Sequence, residues 1–459
     1  MVSSVSLREK IGYGFGDAAS SMFWKIFTFY LAIFYTDVFG ITAVAAGTMF
    51  LITRIWDTAN DPLMGIICDR TNSKWGKFRP YLLWVAVPFG IIGVLLFTTP
   101  QVGTTGKLIY AYISYTIMMM TYTAINVPYA SLLGVMSADS NDRTSLASYR
   151  MIFAFGGSLL VVAIYQPLLD IFSKSFAIGT AYQLTMAIIG SIAIVFFLFT
   201  FLWTRERIVV PESQENNLKE DVKNLLKNKP WFILLGAGVM TLIFNSVRDG
   251  VAMYYFKYYI IDDSAVSISK MTFAFSTLYL LLGQAFNMVG VAMAKPVSAR
   301  LGKRRTFMYA MIASAILSAL FYMCTKEMLV YVYILQAMVS FCAGIIFPLL
   351  WSMYADTADY SEWKTGRRAT GLVFSASSMT QKLGWTLGGS ITLWLLAFYG
   401  FRANAVQSPE TINGLKIMLS IVPGVAALIS GIFIYFYKLT DANMLEIGAE
   451  LQERRAKLV

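Results

Sequence analysis

The chain has 459 residues, of which 57% are hydrophobic and only 14% charged. With a mean hydropathy of +0.61, it is excluded from the ordinary soluble domains. The formal net charge of +11 is no nucleic-acid signal, because the basic residues crowd the loops of one membrane face.

Apolar segments of about 18 or more residues recur along nearly the whole chain and show no strict alternation. They predict an all-α polytopic membrane protein rather than a β-barrel. No cleavable signal is expected, since the start is polar up to Lys10 and the first apolar run is too long for an h-region. Twelve spans are predicted, centred near residues 28, 52, 90, 120, 158, 192, 242, 280, 314, 340, 384 and 425. The absence of histidine removes imidazole metal sites, haem ligation and a histidine proton relay. Cys68, Cys324 and Cys342 lie in or beside apolar segments without CxxC spacing, so they receive no disulfide or metal role.

The first span follows GYGFGD (12–17) and carries a polar stripe of Asp17, Ser21, Lys25 and Thr28, with Trp24 beside it. GFGD matches the GxGD of intramembrane aspartyl proteases, but there the aspartate belongs to a late span and faces a second one. The second span contains RIWDTANDP (54–62). Asp57 and Asp61 fall on one helix face, roughly 40° apart at about 3.6 residues per turn. One carboxylate at mid-bilayer depth costs at least ~2.5 kcal/mol on insertion scales, and two neighbours also repel each other. A positive group between them removes both penalties, so the pair reads as a cation site. Asn60 and Thr123 add the amide and hydroxyl oxygens that a hard monovalent cation prefers.

The fourth span carries Tyr122, Thr123, Asn126 and Tyr129, and the fifth carries Arg150. Hydroxyls, amides and aromatic rings suit the OH groups and apolar faces of a sugar, though interhelical hydrogen bonding would use the same residues. The polar connection 205–230 divides the chain into an N-terminal six-helix bundle (1–204) and a C-terminal one (231–438), followed by a tail (439–459) expected as a short surface helix. GIICDRTNSKWGKFRP (65–80) and AKPVSARLGKRRT (294–306) each place a Gly-Lys pair after the second span of their half. This weak internal repeat points to two bundles related by an axis along the membrane normal, the major facilitator architecture. Arg248 and Asp249 in the seventh span and Lys382 in the eleventh are further ionisable residues inside spans. Lys382 could neutralise the aspartate pair until a cation displaces it, which would couple cation and substrate. The alternate basic loops put both termini in the cytoplasm.

GYGFGD (12–17), YTDVFGI (35–41), RIWDTANDPLMG (54–65), SKWGKFRPYLLW (73–84), TYTAINVPYASL (121–132) and ADTADYSEWKTGRRATG (355–371) resemble the motifs of the glycoside–pentoside–hexuronide:cation symporter family, whose best-known member is the melibiose permease. The resemblance runs over nearly the full length. It implies that Asp57 and Asp61 bind Na⁺, Li⁺ or H⁺ with Asn60 and Thr123 as neighbours, and that Arg150 and Lys382 match the family's span-5 arginine and span-11 lysine. Two acids that the melibiose permease places on galactosyl hydroxyls match the neutral Ser21 and Asn126 here.

The expectation is therefore a bacterial inner-membrane symporter coupling Na⁺ or H⁺ entry to sugar uptake by alternating access, without a cofactor and functional as a monomer in the lipid bilayer. Asp57, Asp61, Asn60 and Thr123 form the cation site. Ser21, Trp24, Lys25, Asp17, Tyr122, Asn126, Arg150 and Lys382 line the substrate cavity. The protein is expected to be no enzyme, and no GxxxxGK[ST] loop is present for ATP-driven transport. The alternative keeps the fold and carries a non-sugar solute such as a lysolipid.

Overall fold

The computed structural model describes residues 5–137, 140–207, 227–262, 270–365 and 370–456. Most of the expected connection between halves, 208–226, lies outside them, as do Arg367 and Arg368 of the last basic loop.

The described residues are helical throughout their ordered elements, and twelve of these correspond to the predicted spans. The first half runs α1 (Leu7–Ile26, continued by π-helical turns at Phe27–Leu31 and Phe34–Phe39), α2 (Ala43–Arg70), α3 (Arg79–Trp84 and Ala86–Leu96), α4 (Thr104–Met136), α5 (Ser140–Ser173) and α6 (Ile178–Trp203). The second runs α7 (Lys229–Tyr254, continued by a π-helical turn at Tyr255–Ile260), α8 (Lys270–Leu301), α9 (Lys303–Leu320), α10 (Leu329–Thr365), α11 (Thr370–Phe398) and α12 (Pro409–Leu419 and Ile421–Phe436). α13 (Asp441–Ala456) is the surface helix expected in the tail, and the Trp363 indole of α10 donates to its Glu450 at 2.7 Å.

Local chemistry sets the helix starts. Ser6 caps α1 in a reciprocal box with Glu9, Thr42 caps α2, and Asn228 caps α7 ahead of Pro230. Eight described helices, α4 to α10 and α12, are long and apolar enough to cross a membrane by composition alone. The other four fall short for physical reasons. α3 is broken at Val85, whereas α1, α2 and α11 carry Asp17 and Lys25, Arg54 with the aspartate pair, and Lys382. The helices that lose hydropathy are those that hold most of the candidate site.

The chain forms two compact units, one comprising 1–212, 256–281 and 396–408, the other 213–255, 282–395 and 409–459. In the first, α1 packs on α5 and α6, α2 on α4, and α3 on α6. The α1–α5 crossing is very close, since a Cβ on Gly157 would stand 2.5 Å from the Ala18 carbonyl oxygen. In the second unit the same pairings return: α7 on α12, α9 on α12 and α10, and α8 against α10 through Gly290 and Gly344. α7 also joins α11, where Ser246 donates to the Trp385 carbonyl at 2.9 Å.

The repeat extends to the basic loops. After α2 the chain turns at Gly76 (φ 105°), and the Glu206 carboxylate beyond α6 accepts the backbone N–H groups of Lys77, Phe78 and Arg79 at 2.9, 2.8 and 2.9 Å. After α8 it turns at Gly302 (φ 82°), and the Asp441 carboxylate beyond α12 accepts the N–H of Lys303 at 2.9 Å. Each glycine is needed twice, for its left-handed backbone and because a Cβ would strike the carboxylate. The Gly-Lys pairs are thus one device used in both halves.

Glu206→Ala strands three backbone donors and is expected to cost about 2 kcal/mol, read as a lower melting temperature in detergent. Asp441→Ala, with one backbone donor at stake, should lower it less. Equal melting of both variants and the parent would show that the clamps carry no stability.

Candidate functional site

α2 and α4 together hold the aspartate pair. Asp57 is 1% exposed and Asp61 half-buried. The Thr123 hydroxyl of α4 stands between them, 2.9 Å from Asp57 Oδ1 and 2.9 Å from Asp61 Oδ1. A hydroxyl has one proton and can donate to only one acid at a time. The two carboxylates thus converge on one oxygen, with the Arg54 guanidinium beside Asp57 as a positive neighbour. The three oxygens make a hard-ligand cluster in a low-dielectric place, and Asn60 adds a half-buried amide on the same helix.

Arg54 stands one turn before the pair and is 8% exposed. Its Nη1 lies 3.7 Å from Asp57 Oδ2, and its Nε donates to the Tyr115 hydroxyl at 3.0 Å. The guanidinium stacks on the Trp24 ring at 4.6 Å. Trp24 in turn meets the Tyr122 ring at 5.7 Å, so one indole joins the acid pair's arginine to the aromatic face expected for substrate.

A second polar group lies toward the N-terminal part of α1. Arg150 of α5 donates from Nε to Asp17 Oδ2 at 2.9 Å and stacks on the Tyr129 ring at 5.3 Å. Tyr129 is fully buried, stacked on Tyr13 at 4.8 Å, and donates to the Tyr13 carbonyl at 2.7 Å. The Arg150 and Asp17 side chains keep 34% and 16% of their surface open. Asn126 accepts from Ser20 at 2.7 Å and donates to the Tyr122 carbonyl at 3.0 Å. Lys25 stands over the Phe29 ring at 5.0 Å, and Thr28 donates back to the Trp24 carbonyl at 2.9 Å.

The expected site residues thus divide. Asp57, Asp61 and Thr123 meet directly, as do Asp17 with Arg150 and Trp24 with Tyr122. Ser21 is half-buried beside Ser20, which is the residue that bonds Asn126. Lys382 is half-buried on α11 in the second unit, its carbonyl accepting from Thr386 at 2.8 Å. Two contributions go beyond the sequence reading. Tyr115 completes the arginine's cradle, which 61 residues of separation conceal. Asp37 and Lys257, absent from the ionisable residues expected within spans, are fully buried and ion-paired. The signal available was their setting in the aromatic runs FYTDVF and YYFKYY.

A family model described as MFS/sugar transport protein matches residues 12–441. The inner membrane symporter YicJ of Escherichia coli (strain K12) is 33% identical over 455 residues, covering 99% of this chain and 96% of that protein. The isoprimeverose transporter of Lactiplantibacillus pentosus is 32% identical over 454 residues, covering 98% of this chain and 92% of that protein. Among solved structures, the nucleoside transporter NupG matches with a TM-score of 0.63 over 94% of this chain and 100% of its own, at 14% identity. At that identity the likeness concerns the fold.

Thr123→Val removes the oxygen between the two carboxylates and keeps the volume. It is expected to cost about 2 kcal/mol of stability in cation-free buffer, the scale of a hydrogen bond to a charged group, with Thr123→Ser close to the parent. Equal melting of the Val and Ser variants would mean that the hydroxyl does not bridge the acids.

Proposed function

The chain belongs to the MFS/sugar transport protein family, and on that premise we propose that it is a secondary active symporter, coupling the entry of a monovalent cation to uptake of a sugar by alternating access. The observation that carries this reading is the Thr123 hydroxyl between Asp57 and Asp61, joined through Arg54 and Trp24 to Tyr122. The names of the relatives, a symporter and a transporter of the sugar isoprimeverose, support both halves of it. As a member of a transporter family the protein is not assigned an enzyme activity.

Asp57, Asp61, Thr123 and Asn60 bind the cation, and oxygen-only chemistry favours Na⁺ over a proton. A cation between the carboxylates weakens the hold of Asp57 on Arg54. The guanidinium then shifts on Trp24, and the Trp24–Tyr122 face offered to the sugar changes with it. Asp17, Ser21, Lys25, Asn126 and Arg150 complete the sugar cavity, with the Asp17–Arg150 pair supplying acceptor and donor to neighbouring hydroxyls. Lys382 contributes from the second half, neutralising the acids in the cation-free state and turning to the sugar once displaced. The substrate is a glycoside, pentoside or hexuronide.

The two bundles are 1–204 and 231–438, joined by 205–230 and followed by the tail 439–459. Both termini face the cytoplasm. Arg70, Lys74, Lys77 and Arg79 in one loop and Arg300, Lys303, Arg304 and Arg305 in another support that side. The protein works as a monomer in a bacterial inner membrane, and the name of one relative supports the membrane alone.

In proteoliposomes, Asp57→Asn and Asp61→Asn are expected to abolish cation-driven sugar accumulation, while exchange of sugar against sugar persists. Full uphill uptake by either variant overturns the cation assignment. A thermal-shift panel of neutral and acidic sugars, with and without Na⁺ at fixed pH, identifies the substrate. Stabilisation at a ligand concentration of 100 Kd amounts to about 2.7 kcal/mol. A sugar shift indifferent to Na⁺ but responsive to pH assigns the proton instead, and a shift with lysolipid alone overturns the sugar reading.

A further inference from the structure

Asp37 closes α1, and three stretches of chain meet around it, all within the first compact unit. Lys257 donates to Asp37 Oδ2 at 2.5 Å, and the Tyr258 hydroxyl bonds the same oxygen. Thr36 donates to Oδ1 at 2.7 Å. The lysine side chain is 0% exposed and the aspartate 1%. Lys257 also donates to Asn404 Oδ1 at 2.8 Å. Asn404 returns two bonds, from its amide to the Asp37 carbonyl at 2.6 Å and from its backbone N–H to the Tyr258 hydroxyl at 3.0 Å.

Three features mark this cluster as a device rather than incidental packing. Asp37 and Lys257 each ride on a π-helical turn, Phe34–Phe39 and Tyr255–Ile260, at the end of the first span of their half; such turns are rare and concentrate at functional places. Asn404 is held at φ 53°, a conformation that non-glycine residues seldom adopt and that asparagine tolerates best. A cavity of about 490 Å³, lined in part by Thr36, Asp37, Ala43, Phe401 and Asn404, adjoins the network and gives water a place to enter.

The partners belong to different halves of the sequence. Asp37 comes from α1, Lys257 and Tyr258 from the end of α7, and Asn404 from the connection after α11. All three lie at the ends of odd-numbered spans, so they share the membrane face opposite the N-terminus. We propose that the Asp37–Lys257 pair, with Tyr258 and Asn404, is the lock that holds this face closed and breaks once in each transport cycle. The inference rests on the alternating-access reading. A buried pair suits the task. While the face is closed, each charge needs the other; once it opens, water solvates both and the separation is tolerated. Removing one charge leaves the other buried and alone, which drives the face open. Removing both restores neutrality.

The test uses Ala43→Cys, at a cavity-lining position only 8% exposed, in a full-length chain whose three native cysteines are replaced by serine. Labelling by a membrane-impermeant maleimide is followed in whole cells. Asp37→Asn and Lys257→Met should each raise the labelling rate about tenfold, the mark of an equally large shift in the open-to-closed ratio. The double variant should fall back toward the parent. Asn404→Gly, which removes a tie without touching a charge, should raise labelling if either charge variant fails to fold. Unchanged rates in the folded variants overturn the lock, and so does a double variant that labels as fast as the singles. Alternating access is read separately in the parent, from whether Na⁺ with sugar alters its labelling. Loss of that response with the variant pattern intact counts against the transport reading alone.

Discussion

Every charge inside this chain's apolar body has to be answered locally, because a lone ion at the centre of a bilayer costs ~2.5–3.5 kcal/mol even on the mildest scale. That constraint organises the first unit. Asp57 is answered by Arg54 and by Thr123, Asp17 by Arg150, and Asp37 by Lys257. Apart from Arg54, which shares α2 with Asp57, each answer joins two elements, so the rule that makes charges tolerable also helps determine which elements touch. The aspartate pair on α2 is the demanding case, because two like charges share one hydroxyl. Two carboxylates that converge on one hydroxyl form the oxygen-rich arrangement that a monovalent cation suits.

Aromatic rings extend the effect of these pairs. The Arg54 guanidinium lies on Trp24, and Arg150 lies on Tyr129. A planar cation on a ring face is held without a full ion pair, so it can shift when its carboxylate partner is engaged elsewhere. Trp24 is the residue on which the cation candidates and the substrate candidates converge, through Arg54 on one side and Tyr122 on the other. The tyrosine pair Tyr13–Tyr129, each ring stacked on the other, fixes the wall behind Asp17. Rigid aromatic packing thus surrounds a few polar groups that are free to respond to charge.

The halves are built alike where they meet the basic loops. A left-handed glycine, a lysine N–H and a carboxylate arriving after the sixth helix recur at Gly76, Lys77 and Glu206 and at Gly302, Lys303 and Asp441. The same helix pairings recur as well. The in-span aspartates Asp17, Asp57 and Asp61 cluster in the first half, where Lys25, Arg54 and Arg150 accompany them, whereas the second half carries Arg248, Asp249 and Lys382.

The number of spans, their approximate centres and the aspartate pair were legible in the sequence, because hydropathy and the spacing of Asp57 and Asp61 are local properties. The Gly-Lys repeat was legible as a pattern, but its meaning was not. The carboxylates that explain it lie 129 and 138 residues away, and no local rule joins them. Asp37 and Lys257 stand near span ends, where spacing along the chain gives no sign that the two are buried together. The hydrogen bond from Ser20 to Asn126 depends on helix rotation, which no spacing argument resolves to a single residue. Composition and periodicity therefore determined the membrane class, the helices and the residues that had to be answered. Only the tertiary structure decided which partner answers each one, because a partner's distance in space is set by helix packing and not by its distance along the chain.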